Sequence, residues 1–202
     1  MGTFEDVPPR YDGTTALLVV DVQNDFADPD GSLYVRDAES VIDVTNAEIE
    51  TARAAGALIV YTQDWHPPDT PHFAKDGGTW PVHCVGGTWG AELHPRLTVV
   101  DAERIRKGTG GEDGYSAFTV ADPVSREASA TELDHLLRER GIRRVVILGL
   151  ATDYCVRSTA LDATALGYEA TVVAEGVRAV DLEPGDGQRA LDEIAAAGVA
   201  LA

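Results

Sequence analysis

The sequence predicts an α/β fold, an open, doubly wound parallel sheet with helices on both faces, and three observations predict it. Short apolar runs of strand length alternate with amphipathic stretches of helix length, the pattern of strands buried on both sides. The helical stretches close on glycines, at Gly56, Gly141 and Gly198. Several apolar runs are followed closely by a polar or reactive residue, as happens where a parallel sheet carries ligands beyond its carboxyl ends. At 202 residues the chain favours one domain, 1–202, over two.

Taken in order, Ala16–Val20 is the first predicted strand. A helix follows from about Asp37, a capping residue type, to Ala55, with Val41, Val44, Ile49 and Ala52 on one stripe. Leu58–Thr62 is the second strand. From Asp64 to about Leu97 the chain is rich in Pro, Gly, His and Trp without periodicity, which marks a long functional loop region. Glu103–Lys107 is the third strand, and Gly108–Gly114 a Gly-rich turn. Thr131–Arg140 is helical with Leu133, Leu136 and Leu137 inward, and Arg144–Leu148 is the fourth strand. Asp153–Leu166 carries Val156, Ala160, Ala163 and Leu166 on one helical face. Thr171–Ala174 is the fifth strand, Gln188–Ala197 the last helix, and Val199-Ala200-Leu201 leaves room for a brief final strand. The crossovers between parallel strands are expected to be right-handed.

Composition narrows the function. A formal net charge of -18, with no Lys/Arg cluster, disfavours nucleic acid and anionic membrane surfaces as partners. No apolar run approaches the roughly 20 residues of a membrane span, so a soluble protein is expected. Residues Met1–Asp6 show neither a basic start with an apolar core nor a myristoylation signal. Two cysteines in unlike contexts indicate neither a disulfide scaffold nor a zinc ribbon, and a reducing cytoplasm fits them.

Three strand ends hold unusual residues: Asp21 after the first strand, Lys107 at the end of the third, and Cys155 in the helical turn after the fourth. Singly, each has a plain structural role: a turn cap, a solvated end residue, a small buried hydrophobe. Together they bring a base, a cation and a nucleophile to one crevice. A helix's first turn favours the Cys155 thiolate, whereas Asp21 opposes it unless it accepts the thiol proton. The backbone N–H groups of Ala151 and Cys155 are placed to receive an oxyanion.

A second cluster follows the second strand. Asp64 and His66 point the same way in extended backbone, and His72 and His83 lie in the same loops. Such oxygen and imidazole ligands suit one divalent ion, zinc first, with iron or manganese as alternatives, although loop histidines also simply bond to backbone. His72 fits a direct ligand and a supporting role equally. Cys84 reads as a buried thiol, His94 and His135 as surface positions. Phe26, Trp80 and Tyr115, with Tyr154 beside Cys155, suit a flat heteroaromatic ligand as well as plain packing. The acids from Asp28 to Asp30, with Asp37, Glu39, Asp43, Glu48 and Glu50, read as a solvated face.

Five segments in register carry a family resemblance: Leu17–Phe26 (LLVVDVQNDF), Asp64-Trp65-His66, Trp80-Pro81-Val82-His83-Cys84, Lys107-Gly108 and Gly149–Val156 (GLATDYCV). They closely resemble the nicotinamidase/pyrazinamidase branch of the isochorismatase-like cysteine hydrolases over about residues 16–180. The resemblance implies a Rossmann-like three-layer sandwich with six parallel strands and an Asp21, Lys107, Cys155 triad. It also implies a cis peptide before Ala151 that aims the Ala151 and Cys155 amides into an oxyanion hole. A divalent ion on Asp64, His66 and His83, with His72 at the place of an additional ligand, is implied to hold the substrate's pyridine nitrogen, the ring lying between Phe26 and Trp80 with Tyr115 near. The implied reaction is hydrolysis of nicotinamide to nicotinate and ammonia through a thioester, in NAD salvage, with self-association left open. The rivals are an isochorismatase, an N-carbamoyl-amide hydrolase, or a non-catalytic ligand-binding protein of the same fold.

Overall fold

The structure, a computed structural model, describes residues 10–202, so the expectation for residues 1–6 lies outside it. In chain order the elements are β1 (Thr15–Val20), a one-turn α1 (Asn24–Ala27), α2 (Ala38–Ala54), β2 (Leu58–Asp64), β3 (Glu103–Lys107), β4 (Thr119–Ala121), β5 (Ala128–Ala130), α3 (Leu133–Glu139), β6 (Arg144–Leu150), a π-helical turn (Thr152–Val156) running into α4 (Arg157–Ala165), β7 (Glu169–Arg178), α5 (Asp186–Ala196) and β8 (Ala200–Leu201). Six strands form one parallel sheet in the order β3-β2-β1-β6-β7-β8, and β4 and β5 pair as a separate hairpin.

Side-chain alternation builds the layers. Leu17, Val19, Ile59, Tyr61, Val146 and Leu148 face α2, where Val41, Ile42, Ile49 and Ala52 meet them. Ala16, Leu18, Val20, Val60, Val145 and Ile147 face the other way, toward Leu133 and Leu137 of α3, Ala160 and Ala163 of α4 and Ile194 of α5. Both faces of β1 are therefore covered and all six of its residues are buried. No helix among the described residues is long and apolar enough to cross a membrane.

The sheet reverses its winding between β1 and β6, where such folds open a crevice beyond the carboxyl ends of the strands. Asp21 leaves β1 with a φ of 49°, a left-handed conformation unusual for a residue with a Cβ. Across the crevice, Gly149 has a φ of 120°, and a Cβ there would lie 2.0 Å from the carbonyl oxygen of Val20. The next peptide but one along β6, Leu150-Ala151, is cis.

Several elements differ from the sequence expectation. β2 continues through Gln63 and Asp64 and β7 spans Glu169–Arg178, because ladder pairing needs no apolar side chain, and β6 runs on past Gly149 to Leu150. Three-residue strands carry no readable alternation, so the β4–β5 hairpin was not expected. Asp37 stands at the N-cap of α2, but its φ is 59° and its side chain makes no cap hydrogen bond. His94 is buried rather than on the surface: its N–H donates to the Val22 carbonyl, which draws the returning loop against the segment after β1. His135 is exposed, as read.

Candidate active site

Lys107 is the hub of the crevice. It ends β3 in register with Asp64, the end of β2, and its side chain is fully buried. Its Nζ lies 2.7 Å from Oδ2 of Asp21 and 2.6 Å from Oδ1 of Asp64. It also donates to the Gly114 carbonyl and sits 3.8 Å from Sγ of Cys155. Cys155 Sγ and one carboxylate oxygen each from Asp21 and Asp64 lie within 4.8 Å of one another. The three residues read from separate strand ends thus meet at one point, and Asp64 joins them.

The electrostatics give each group a different protonation tendency. Burial disfavours the Lys107 ammonium, but Asp21, Asp64 and Cys155 together carry its pKa well above the lysine range. Burial raises Asp21, Lys107 counters it, and the Asp64 charge adds to the rise. Burial also acts upward on Asp64, yet Lys107, His66 and His83 outweigh it and hold that carboxyl well below the usual range. Burial pushes the Cys155 thiol well up, Lys107 opposing and Asp21 adding. The helix-turn argument for a lowered thiol is therefore overridden: Cys155 rests as a thiol beside a carboxylate whose proton affinity is raised.

His66, His72 and His83 are all buried and bring one ring nitrogen each within 4.8 Å of one another. Oδ2 of Asp64, the oxygen turned away from Lys107, lies 3.8 Å from Nε2 of His66 and 3.9 Å from Nε2 of His83. Nδ1 of His83 is tied to the Pro81 carbonyl at 2.8 Å, and Nδ1 of His72 to Asp113 at 2.7 Å. Both ring nitrogens of His66 are buried without a hydrogen-bond partner, a costly state that a cation coordinated by one of them would relieve in part. These residues fit a divalent metal ion. Cys84 stays apart, its Sγ facing the Gly90 carbonyl.

Between the two clusters opens a narrow pocket lined by Phe26, Trp80, Tyr115 and Tyr154 together with Asp64, His72, His83, Ala151 and Cys155. Trp80 Nε1 donates to the Tyr115 hydroxyl at 2.7 Å, and the Trp80 and Tyr154 rings meet edge to face at 4.8 Å. The Phe26 ring sits 5.4 Å from that of His83. Leu33 and Val180 complete the wall.

A family model described as the isochorismatase domain matches residues 15–202. The chain belongs to the isochorismatase family. It is 39% identical to the nicotinamidase of Escherichia coli (strain K12) over 96% of this chain and 95% of that protein. The fold is similar to that of the pyrazinamidase of Pyrococcus horikoshii in complex with zinc, with a TM-score of 0.84, 39% identity and coverage of 94% and 98% of the two chains. It is also similar to PnC1 from L. infantum in complex with nicotinate, with a TM-score of 0.87, 36% identity and coverage of 96% and 95%.

Several supports of this isochorismatase-family site have roles that the sequence does not display, although Gln23 and Asp153 lie inside the segments that carry the family resemblance. Thr62 donates its hydroxyl to Oδ1 of Asp21 at 2.5 Å. Gln23 clamps the end of β2, accepting from the Asp64 N–H at 2.8 Å and donating to the Asp64 carbonyl at 2.7 Å. Asp153 accepts the N–H groups of Val180 and Asp181, fixing the loop that brings Val180 to the pocket. Only the alternation of β2, which sets Thr62 and Asp64 on one face, hinted at Thr62.

Proposed function

We propose that the chain is an amidohydrolase that converts nicotinamide to nicotinate and ammonia. One observation carries the reading: the acid, ammonium and thiol cluster and the imidazole cluster share Asp64 and open into one aromatic pocket. A flat ring with a carboxamide and an in-ring nitrogen spans such a pocket, with the amide at Cys155 and the nitrogen toward the histidines. The relatives that act on or hold nicotinamide-type compounds support the same substrate class.

Asp21 accepts the Cys155 thiol proton as sulfur bonds to the amide carbon. The resulting oxyanion is received by the Ala151 and Cys155 amides, while Lys107 keeps the carboxylates balanced. As the C–N bond breaks, Asp21 returns that proton to the departing nitrogen and ammonia leaves a thioester on Cys155. Water then attacks the thioester, gives one proton to Asp21, and expels the thiolate, which recovers that proton; the acid so formed releases its own proton to solvent and leaves as nicotinate. Phe26, Trp80, Tyr115 and Tyr154 hold the ring.

Asp64, His66, His83 and His72 would hold the ion, zinc by preference for imidazole and carboxylate ligands and by analogy with the zinc-bound P. horikoshii protein. When bound, it would supply a Lewis-acidic seat for the pyridine nitrogen. Two unpaired, buried cysteines suit a reducing cytoplasm.

Ammonia release from nicotinamide, measured before and after chelation, tests the reading. Release that stops on chelation and returns with zinc is expected; turnover of an N-carbamoyl amide but not of nicotinamide would overturn it.

A further inference from the structure

His72 is the histidine whose role the sequence leaves open, and its back side is built as carefully as its front. Nδ1 lies 2.7 Å from Oδ1 of Asp113, a carboxylate only 8% exposed. The second oxygen of Asp113 accepts from Arg126 at 2.8 Å. The backbone of Arg126 is held in turn, although its side chain is largely exposed: the residue sits in the turn of the β4–β5 hairpin, its backbone N–H donates to the Asp122 carbonyl at 2.9 Å, and Asp113 and Ala121 exchange backbone hydrogen bonds at 2.7 and 2.9 Å. The row of Arg126, Asp113 and His72 thus links the hairpin, which takes no part in the main sheet, to the crevice.

Carboxylates behind metal-binding imidazoles fix which nitrogen carries the proton and strengthen the other as a donor. Here the geometry goes further, because the two oxygens of Asp113 face opposite demands. Arg126 offers only donors, and a carboxylate satisfies it while leaving an acceptor for His72 Nδ1–H. An amide in the same place has one acceptor, and Arg126 would claim it.

We propose that Asp113, oriented by Arg126, is the positioning residue that holds the His72 proton on Nδ1 and presents the Nε2 lone pair to the metal site. The inference rests on the metal reading above. It gives the hairpin a part in the site through the hold of Arg126 on the Asp113 carboxylate.

The consequence is specific. In Asp113→Asn the amide oxygen turns to Arg126 and the NH2 group faces His72 Nδ1, driving the proton to Nε2, where it blocks coordination. In the double variant Asp113→Asn/Arg126→Ala the amide is free to turn its oxygen to His72, and the ligating tautomer returns. Zinc affinity, measured by competition with a chromogenic chelator, and the visible absorption spectrum of the cobalt-substituted protein read this out without turnover. Asp113→Asn is expected to weaken zinc about 10- to 100-fold and to alter the cobalt spectrum in the same sense as His72→Ala. Adding Arg126→Ala is expected to recover most of the loss, whereas Arg126→Ala alone changes affinity only a few-fold. A double variant as weak as or weaker than Asp113→Asn, or an Asp113→Asn protein with unaltered affinity and spectrum, overturns the proposal while leaving the metal site in place. A wild-type protein that binds neither zinc nor cobalt overturns the metal reading itself, and with it this inference. Thermal unfolding of the metal-free variants separates both results from misfolding, and Asp113→Glu, which keeps two acceptors, is expected to stay closer to wild type than Asp113→Asn.

Discussion

Asp64 gives one carboxylate oxygen to the Lys107 ammonium, 2.6 Å away, and turns the other toward His66, 3.8 Å from its Nε2. A single side chain therefore belongs to both charge clusters, and each cluster's charge is felt by the other. The position follows from register: Asp64 and Lys107 are directly paired at the last step of the β2–β3 ladder.

Lys107 neutralises two buried carboxylates at once. Replacing it by methionine leaves Asp21 and Asp64 facing each other without a cation, and removing one partner of a buried pair typically costs about 3–5 kcal/mol. Denaturant unfolding of Lys107→Met is expected to show a loss of that order, with ammonia release falling by a factor of at least about 100. A variant within 1 kcal/mol of the parent would mean that the ammonium does not hold the carboxylates.

The acid limb of kcat/KM reports the ionisation of Asp21, whose pKa is raised by burial above the ordinary aspartate value. The limb is therefore expected at higher pH than for an ordinary aspartate. The Thr62 hydroxyl favours the carboxylate form and so lowers this pKa. In Thr62→Val the limb is expected to move to higher pH. A shift in the opposite direction in the pH–rate profile would remove Asp21 from the role of base.

Burial holds His83 neutral and lowers its pKa from 6.5 to about 4. In metal-free protein the unfolded chain takes up a proton between these values that the native ring refuses. Stability that is full above pH 6.5 is lost as pH falls toward about 4, where the native ring also protonates and the loss levels off. For His83 alone the loss amounts to about 3 kcal/mol, and His72, also lowered by burial, acts in the same direction. Urea unfolding of chelated protein across this range measures it, and His83→Asn is expected to flatten the curve.

Tyr115 accepts the Trp80 indole N–H at 2.7 Å and so sets the angle of one pocket wall. Tyr115→Phe removes the acceptor and little else. A net hydrogen bond of about 0.5–1.5 kcal/mol corresponds to a rise in KM of roughly two- to tenfold, with kcat nearly unchanged. Steady-state kinetics decide: a fall in kcat with KM constant would place Tyr115 in the chemistry rather than in ring binding.

What the sequence made legible was what lies at strand ends. Asp21, Lys107 and Cys155 each follow or close a readable element, and in a parallel sheet all such ends face one crevice. Asp64, His66, His72 and His83 stood out because so many ligand-type residues in one loop region are unusual. The roles of Thr62, Gln23 and Asp113 were not legible, even though Gln23 lies in a segment that carries the family resemblance, since each acts on a partner about forty positions away. His94 was misread for the same reason: its burial depends on a backbone contact with Val22, which no periodicity encodes. The rise in the Cys155 pKa was partly legible through Asp21, but its main cause, burial, is a property of the closed pocket.

The most direct measurement is intact-mass and peptide mapping of protein rapidly quenched during turnover of nicotinamide. An acyl adduct located on Cys155, absent from Cys84 and absent from Cys155→Ala, is the expected result. Continued ammonia release by Cys155→Ala, or turnover with no adduct trapped at Cys155, would contradict nucleophilic attack by this thiol.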